Sequence, residues 1–425
     1  MKKILLGLFL SVFVIFGVSK SFASCDVVVL NTNNGKYHKT DCEYAKYIKN
    51  GKNMRKPIVR YSAAACCFPQ KEKKQSFIQK YKEKRIFNKI NEQKISLFFV
   101  DPVKAKKAQN KIINDVGLSL VALIDNAQNS IDIAAYGFDG QDDIINALRR
   151  AKKRGVKIRG VVDDYGATLY KRTNSVAKEF GFKTDVNVPM AQKQFEKEFT
   201  RSKNALMHNK FVIIDGEYLW TGSTNLTNYC MTLNSNNSVV IKSKDLARTY
   251  QDEFNQMFED NKFHTLKNVV DNKNSIVLND SSISVYFSPQ DKVLTNAIIP
   301  IIKDTKERIY VSMFYLTNYW ITSALIEAKD RGVEIKIIVD SNLQKEPKSQ
   351  IDELEQAGIP VKIENWHGKM HQKSMVVDSH ITVIASTNWT GASEYSNDEN
   401  MLVIKNKSVA NTQEKEFLRL WKSIK

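Results

Sequence analysis

Residues 147–163 read Ala147-Leu148-Arg149-Arg150-Ala151-Lys152-Lys153-Arg154-Gly155-Val156-Lys157-Ile158-Arg159-Gly160-Val161-Val162-Asp163. A helical run closes on a glycine, and the apolar strand Ile158 to Val162 follows, ending on aspartate. After an offset of 177 the pattern returns as Ala324-Leu325-Ile326-Glu327-Ala328-Lys329-Asp330-Arg331-Gly332-Val333, with a strand from Ile335 to Val339 closing on Asp340. Upstream, Ile131-Asp132-Ile133-Ala134-Ala135-Tyr136 and Ile309-Tyr310-Val311-Ser312-Met313-Phe314 are apolar, β-rich runs of buried-strand type. Strands alternating with helices predict an α/β architecture in each half. The halves are expected at 109–260 and 284–425, with 261–283 as the bridge.

The second part of each repeat carries chemistry. His208-Asn209-Lys210-Phe211-Val212-Ile213-Ile214-Asp215 is matched by His371-Gln372-Lys373-Ser374-Met375-Val376-Val377-Asp378, both fitting H-x-K-x4-D. Ten residues after each Asp stands an Asn, within Gly222-Ser223-Thr224-Asn225 and Ala385-Ser386-Thr387-Asn388. Twelve further on come Asn237 and Asn400, so His and last Asn are 29 apart in both halves. The motif offset is 163 rather than 177, which assigns 14 extra residues to the first half, between Asp164 and Leu206.

On a strand, His-x-Lys puts an imidazole and an ammonium on one face, because side chains alternate with period two. A phosphate could then sit between nucleophile and charge clamp. Ser223, Ser386, Asn225 and Asn388 would add neutral donors for phosphoryl oxygens. Phosphodiester exchange needs a nucleophile on one side and a proton donor for the leaving oxygen on the other. Two halves facing each other supply both. A lone histidine on a strand is usually a satisfied core residue, but two copies with four matched spacings argue against that reading.

These residues are where the chain resembles the phospholipase D superfamily, whose signature is a duplicated H-x-K-x4-D followed by G-[ST]-x-N. The resemblance covers about residues 109–425. It implies two α/β halves packed with pseudo-twofold symmetry, an active site at their interface, no cofactor or catalytic metal, and a covalent phosphohistidine resolved by water or an alcohol. It assigns the nucleophile to His208 and the general acid, later the base, to His371. Lys210, Lys373, Asn225 and Asn388 match phosphate-binding positions, and Ser223, Ser386, Asn237 and Asn400 are grouped with them as substrate-binding. Asp215 and Asp378 complete the catalytic motifs as structural or orienting groups. The residue before each late Asn is Asn236 in one half and Glu399 in the other. The family places a carboxylate here on the far nitrogen of its own motif histidine. Glu399 is therefore expected to raise the pKa of His371, and Asn236 to leave His208 less basic. Ala385 departs from the signature glycine. His38, His264, His367 and His380 have no matched partner and are read as surface or structural, and Cys230 as a buried thiol.

The remainder of the 425 residues bears on compartment and substrate. Lys plus Arg is 64 against 46 for Asp plus Glu, a net charge of +18 that favours polyanionic partners. Lys2 and Lys3, the apolar run Ile4 to Val18 and Ser21-Phe22-Ala23 have the order of a secretory signal peptide over 1–23. Its removal, taking Lys2, Lys3 and Lys20, leaves 61 − 46 = +15. A secreted or periplasmic protein is expected, with lipid modification at Cys25 as the lesser alternative.

Cys25, Cys42, Cys66 and Cys67 fall in a small module at 24–70. Two disulfides are one reading; a zinc site of His38, Cys42, Cys66 and Cys67 is the other. The module resembles small His/Cys appendages of secreted bacterial nucleases. Residues 71–94 carry nine Lys/Arg against three Glu, with Phe77, Ile78, Tyr81, Ile86 and Ile90 at helical spacing. This reads as a basic amphipathic helix within a linker at 71–108, able to meet anionic surfaces.

The expected activity is hydrolysis of the headgroup phosphodiester of a phosphatidylcholine-type phospholipid to phosphatidic acid. The alternative is a metal-independent endonuclease acting on DNA or RNA with the same site. Trp366, Trp389, Tyr315 and Trp320 are candidates for a headgroup or interfacial face. With both motifs in one chain, a monomer suffices.

Overall fold

The computed structural model describes the strands Val27–Asn31, Lys36–Lys39, Gly51–Arg55 and Ser62–Ala63, and then residues 77–112, 114–186, 205–271 and 276–425. The chain divides after Gln75 into two units. In the first, Val27–Asn31 pairs antiparallel with both Lys36–Lys39 and Gly51–Arg55, and Ser62–Ala63 adds in parallel beside Lys36–Lys39. The signal segment 1–23 and Cys25, Cys42, Cys66 and Cys67 lie outside the described residues, and so does the question of their pairing or metal binding.

The second unit, 76–425, holds both repeats. The first sheet contains β1 (Ile95–Phe99), β2 (Ser130–Ala135), β3 (Lys157–Val162), β4 (Lys183–Thr184), β5 (Lys210–Ile214), β6 (Tyr218–Gly222) and β7 (Asn237–Lys242), in the order β1-β7-β6-β5-β2-β3-β4. The second contains β8 (Ile276–Leu278), β9 (Ser281–Ser288), β10 (Arg308–Met313), β11 (Glu334–Val339), β12 (Val361–Ile363), β13 (Lys373–Val377), β14 (Ile381–Ala385) and β15 (Glu399–Lys405), in the order β8-β9-β15-β14-β13-β10-β11-β12. Strand for strand, β9 to β12 repeats β1 to β4. Both sheets are mixed: β2 and β3, like β10 and β11, run parallel, whereas β5 and β13 pair antiparallel with β2 and β10.

The longer helices are α1 (Phe77–Gln93), α2 (Asp115–Asn126), α3 (Asp142–Lys153), α4 (Lys244–Phe258), α5 (Tyr319–Asp330) and α6 (Lys407–Ser423), of which α3 and α5, and α4 and α6, are repeat pairs. In α3 the apolar side chains Ile144, Ile145, Leu148 and Ala151 all turn inward, and the basic residues end its last turn, where they complement the helix dipole. Ser243 caps α4 and Asn406 caps α6, each through its side-chain oxygen, at the motif offset of 163. The outer face of each sheet has its own apolar core. A third core is shared: Phe211, Ile213, Leu219, Val239 and Ile241 from the first sheet join Ile283, Val285, Phe287, Ile384, Leu402 and Ile404 from the second, with Tyr250 and Phe254 of α4. The halves are thus welded along one pair of sheet faces.

Two expected boundaries move. The described part of the expected linker, 77–108, joins the first half: Ile86 and Ile90 of α1 are buried in the first core with Phe98 of β1, and Asn91 accepts hydrogen bonds from Tyr218 Oη (2.8 Å) and Lys242 Nζ (2.7 Å). Ile86 and Ile90 of its apolar stripe face the core, whereas Tyr81 is exposed. Likewise the second sheet begins at β8, before 284, because β8 pairs with β9 and β9 pairs along the whole of β15. The extra residues of the first half fall after β4, where 187–204 lies outside the described residues.

Candidate active site

Each motif histidine lies two residues before its strand rather than on it, in an extended run that pairs with the opposite half. Met207 forms an isolated parallel bridge with Asp398, and Met370 forms one with Ser235. The His208 amide donates to the Asp398 carbonyl and the His371 amide to the Ser235 carbonyl, both at 2.9 Å. The motif lysines turn back on these runs: Lys210 Nζ donates to the His208 carbonyl at 2.5 Å, and Lys373 Nζ to the His371 carbonyl at 2.8 Å. Lys210 and Lys373 are both buried.

The bridges decide what stands behind each imidazole, and they overturn one expectation. Asp398 and Ser235 immediately precede Glu399 and Asn236, so those two side chains face the other half's histidine. His208 Nδ1 lies 2.9 Å from both Glu399 carboxylate oxygens, and His371 Nδ1 lies 2.9 Å from Asn236 Oδ1. Glu399 therefore serves His208, not His371, and Asn236 serves His371. With Nδ1 committed, Nε2 of each ring is the nitrogen left for chemistry. Nδ1–H donation to a carboxylate orients His208 and favours positive charge on its ring, which attack on phosphorus creates. An amide acceptor lets His371 release a proton readily. The expected backing of the two histidines is thus exchanged between the halves.

The motif serines and late asparagines are also corrected, since they are spent inside the frame. Ser386 Oγ donates to Glu399 Oε2 at 2.5 Å and Ser223 Oγ to Asn236 Oδ1 at 2.8 Å; both serines are fully buried. Asn400 accepts from the Lys210 amide (3.3 Å) and donates to Thr221 Oγ1 (2.7 Å), and Asn237 donates to Gln413 Oε1 (3.2 Å). Both serine hydroxyls and the Asn400 amide are thereby spent as donors. Asn225 and Asn388, like Asn237, keep a side-chain carbonyl oxygen with no protein partner. Asp215 and Asp378 sit at the far ends of β5 and β13. Each accepts three main-chain N–H groups, Gln128, Asn129 and Ser130 at 2.7–2.9 Å or Lys306, Glu307 and Arg308 at 2.8–3.0 Å. They anchor the sheet.

Two site residues were missed. Tyr136 sets its ring edge-on to His208 (centroids 5.3 Å) under Lys210 Nζ (5.6 Å), and Phe314 packs on His371 (4.9 Å) under Lys373 Nζ (4.8 Å). They follow β2 and β10 directly, and the signal was present: an aromatic in the same place in both repeats. Cys230 is buried with its Sγ 3.9 Å from His371 Nδ1, in the place that Ser393 holds beside Glu399. His264, from the bridge, is fully buried; His367 and His380 are exposed. Of the four candidate aromatics only Trp320 is exposed, paired edge-on with the exposed Tyr319. Trp389 is core, Tyr315 packs against that core, and Trp366 donates to Ser423 Oγ.

Four cationic or imidazole groups in one buried place repel one another, and their proton affinities show it. Burial, opposed by Glu399 and reinforced by Lys210, lowers His208 to about 4. His371 is pushed well below its ordinary value by burial and by Lys373, Lys210 and His208. Burial lowers Lys210 to about 8, and burial with Lys210 lowers Lys373 to about 7. The crossed bridges bring the two motifs to one centre, so that His371 is lowered by Lys210 and His208, and Lys373 by Lys210. An anion placed there would be bound by both lysines and would restore their protons.

Two pseudo-symmetric H-x-K motifs meeting in one basic centre define a phosphoryl-transfer site on a duplicated α/β fold. Residues 120–258 and 298–421, together well over half of the chain, match the family described as cardiolipin synthase, PLD-like domain. The chain belongs to the phospholipase D superfamily and is a phosphodiester hydrolase of that group. A phospholipase D of Rickettsia bellii is 32% identical over 162 residues, 38% of this chain and 78% of that protein. A mitochondrial cardiolipin hydrolase of Xenopus laevis is 34% identical over 109 residues, 26% of this chain and 52% of that protein. The crystal structure of a phosphatidylserine synthase from Haemophilus influenzae shares the fold at a TM-score of 0.56 and 14% identity, covering 80% of this chain and 90% of that one.

Proposed function

We propose that the protein is an exported phospholipase D that hydrolyses the headgroup phosphodiester of phosphatidylcholine-type phospholipid, releasing phosphatidic acid. The observation that carries the mechanism is the unlike backing of the two histidines, carboxylate behind His208 and amide behind His371. His208 Nε2 attacks phosphorus with its lone pair. The bond from phosphorus to the headgroup oxygen breaks as that oxygen takes the Nε2 proton of His371. Neutral His371 then draws a proton from water, whose oxygen displaces His208 and restores both rings. Lys210 and Lys373 hold the phosphoryl oxygens, with the Asn225 and Asn388 amides beside them. The lipid substrate is supported by the names of the relatives and by the exposed Tyr319–Trp320 pair at the start of α5, suited to a membrane interface.

A second reading, nucleic acid cleavage, is favoured by one observation: Lys80, Lys82, Lys84, Arg85 and Lys89 of α1 are all exposed. Purified protein assayed in parallel on phosphatidylcholine vesicles and on single- and double-stranded DNA separates the two. Headgroup release that is lost in His208→Ala supports the lipase reading, and DNA cleavage without lipid turnover refutes it. Charge reversal of Lys80, Lys82, Lys84 and Arg85 should weaken DNA binding and flatten its salt dependence if DNA is the substrate, and should leave headgroup release from neutral vesicles unchanged otherwise.

A further inference from the structure

Behind His208 lies a buried set of charges that the reaction does not consume. Asp398, fully buried, accepts the His264 amide at Oδ1 (2.7 Å), faces His264 Nδ1 from Oδ2 (3.0 Å), and pairs with Lys267 Nζ (2.7 Å). His264 Nε2 reaches Asp185 Oδ2 at 3.2 Å, and Lys267 also pairs with Glu253. Asp185 comes from the end of β4, Glu253 from α4, Asp398 from the start of β15, and the two cations from the segment joining the halves. Asp398 and Asp185 outweigh the burial of His264 and raise it to about 9, so its ring is a cation at neutral pH. His264 holds a left-handed backbone, φ +56°, in which its N–H meets Asp398.

The same place behind His371 is built without charge. Ser235 stands where Asp398 stands, accepting from Gln372 Nε2 at 3.0 Å, and Gln413 donates to Gln372 Oε1 (3.0 Å) and Ser374 Oγ (3.2 Å). A neutral network therefore suffices to support a motif histidine in this fold. The ionic one is specific to the His208 side.

We propose that Asp398, clamped by His264 and Lys267, is a positioning residue for the nucleophile. Its peptide carries both supports of His208: the Asp398 carbonyl takes the His208 amide, and the next side chain, Glu399, takes the ring. Five ionisable groups drawn from four places in the chain fix that peptide in direction as well as depth, which apolar packing does not do. Small misplacement of a reacting group is costly, on the order of a hundred-fold per ångström. The proposal rests on His208 being the nucleophile.

The test is the rate of phosphohistidine formation in a single turnover of the full-length protein with bis(p-nitrophenyl) phosphate, a diester whose leaving group needs no proton. Asp398→Asn should slow adduct formation by about ten-fold or more while substrate affinity stays within about two-fold. Combined with Glu399→Gln it should add little to the larger single loss, because both act through His208, whereas its effect should multiply with that of Asn236→Ala. Full multiplication with Glu399→Gln, or a wild-type rate in folded Asp398→Asn, overturns the positioning role. Should Asp398→Asn not fold, Lys267→Met reads the same step, with slowing expected and an unchanged rate contradicting. His208→Ala separates the two levels of the argument. An adduct that survives it overturns the nucleophile and this proposal together. An adduct lost there but formed at full rate in Asp398→Asn overturns the positioning role alone.

Discussion

Replacing Glu399 by Gln removes one charge and almost no volume from behind His208. The carboxylate is fully buried, takes the His208 Nδ1 proton with both oxygens at 2.9 Å, and is itself held by Ser386 and Ser393. Glutamine can still accept from Nδ1, so what is lost is the difference between a charged and a neutral acceptor. The lower bound is about 1.5 kcal/mol, the gap between such hydrogen bonds. The upper bound is about 4 kcal/mol, a unit charge roughly 4 Å from the ring at an effective dielectric near 20. The phosphorylated ring carries the positive charge that Glu399 neutralises, so the loss falls on the transition state and slows adduct formation by roughly ten- to a thousand-fold. The sign of the pH effect is also fixed. Glu399 opposes the burial that lowers His208 to about 4, so removing it lowers His208 further. The acid limb of the attack step should move to lower pH even as the plateau drops. Rapid-quench measurement of the adduct across pH checks both. A plateau within two-fold of wild type, or an acid limb moved upward, would refute the assignment of Glu399 to His208.

Two further outcomes follow from the same geometry. With Lys373 near 7 and Lys210 near 8, a monoanionic phosphonate monoester bound between them should restore their protons, taking up about one proton at pH 7.5 and binding more weakly as pH rises from 7 to 9; calorimetry in buffers of different ionisation enthalpy reads this directly, and binding without proton uptake contradicts it. Gly222 has φ +145°, and a Cβ there would lie 2.3 Å from the Asn237 carbonyl oxygen, so Gly222→Ala should cost at least about 2 kcal/mol in denaturant unfolding, whereas Ala385→Gly at the matched place should cost only about 1 kcal/mol.

The α/β class and the duplicated halves were legible because they rest on local signals: helix-glycine-strand units and buried apolar strands repeat at fixed offsets. The motif histidines and lysines were legible for the same reason. What escaped depends on contacts across the chain. The strands β1 and β9 carry no motif, and each is recruited by pairing with β7 or β15, more than a hundred residues away. The wrong partner for Glu399 came from treating each half as self-contained, and nothing within one repeat reveals the crossed bridges of Met207 and Met370. His264 and Lys267 look like any polar linker residues; only folding gathers them around Asp398. Tyr136 and Phe314 are visible as matched aromatics in the repeat, but an apolar strand pattern reports burial, not what the side chain after the strand touches.

The crossed bridges also bear on why this site lies within a single polypeptide. Because each half supplies the residue behind the other's histidine, neither half alone holds a finished catalytic centre. Two identical halves joined about a true dyad would necessarily put the same residue behind both histidines, and the two rings would differ only by which one the substrate happened to approach. Joined in tandem, the copies are free to diverge: Glu399 on one side and Asn236 on the other, an ionic frame on one side and a neutral one on the other. Covalent fusion thus allows a broken symmetry that assembly from like parts forbids, and with the roles proposed for His208 and His371 it would give a bound diester a fixed orientation, its leaving group always turned to the same side.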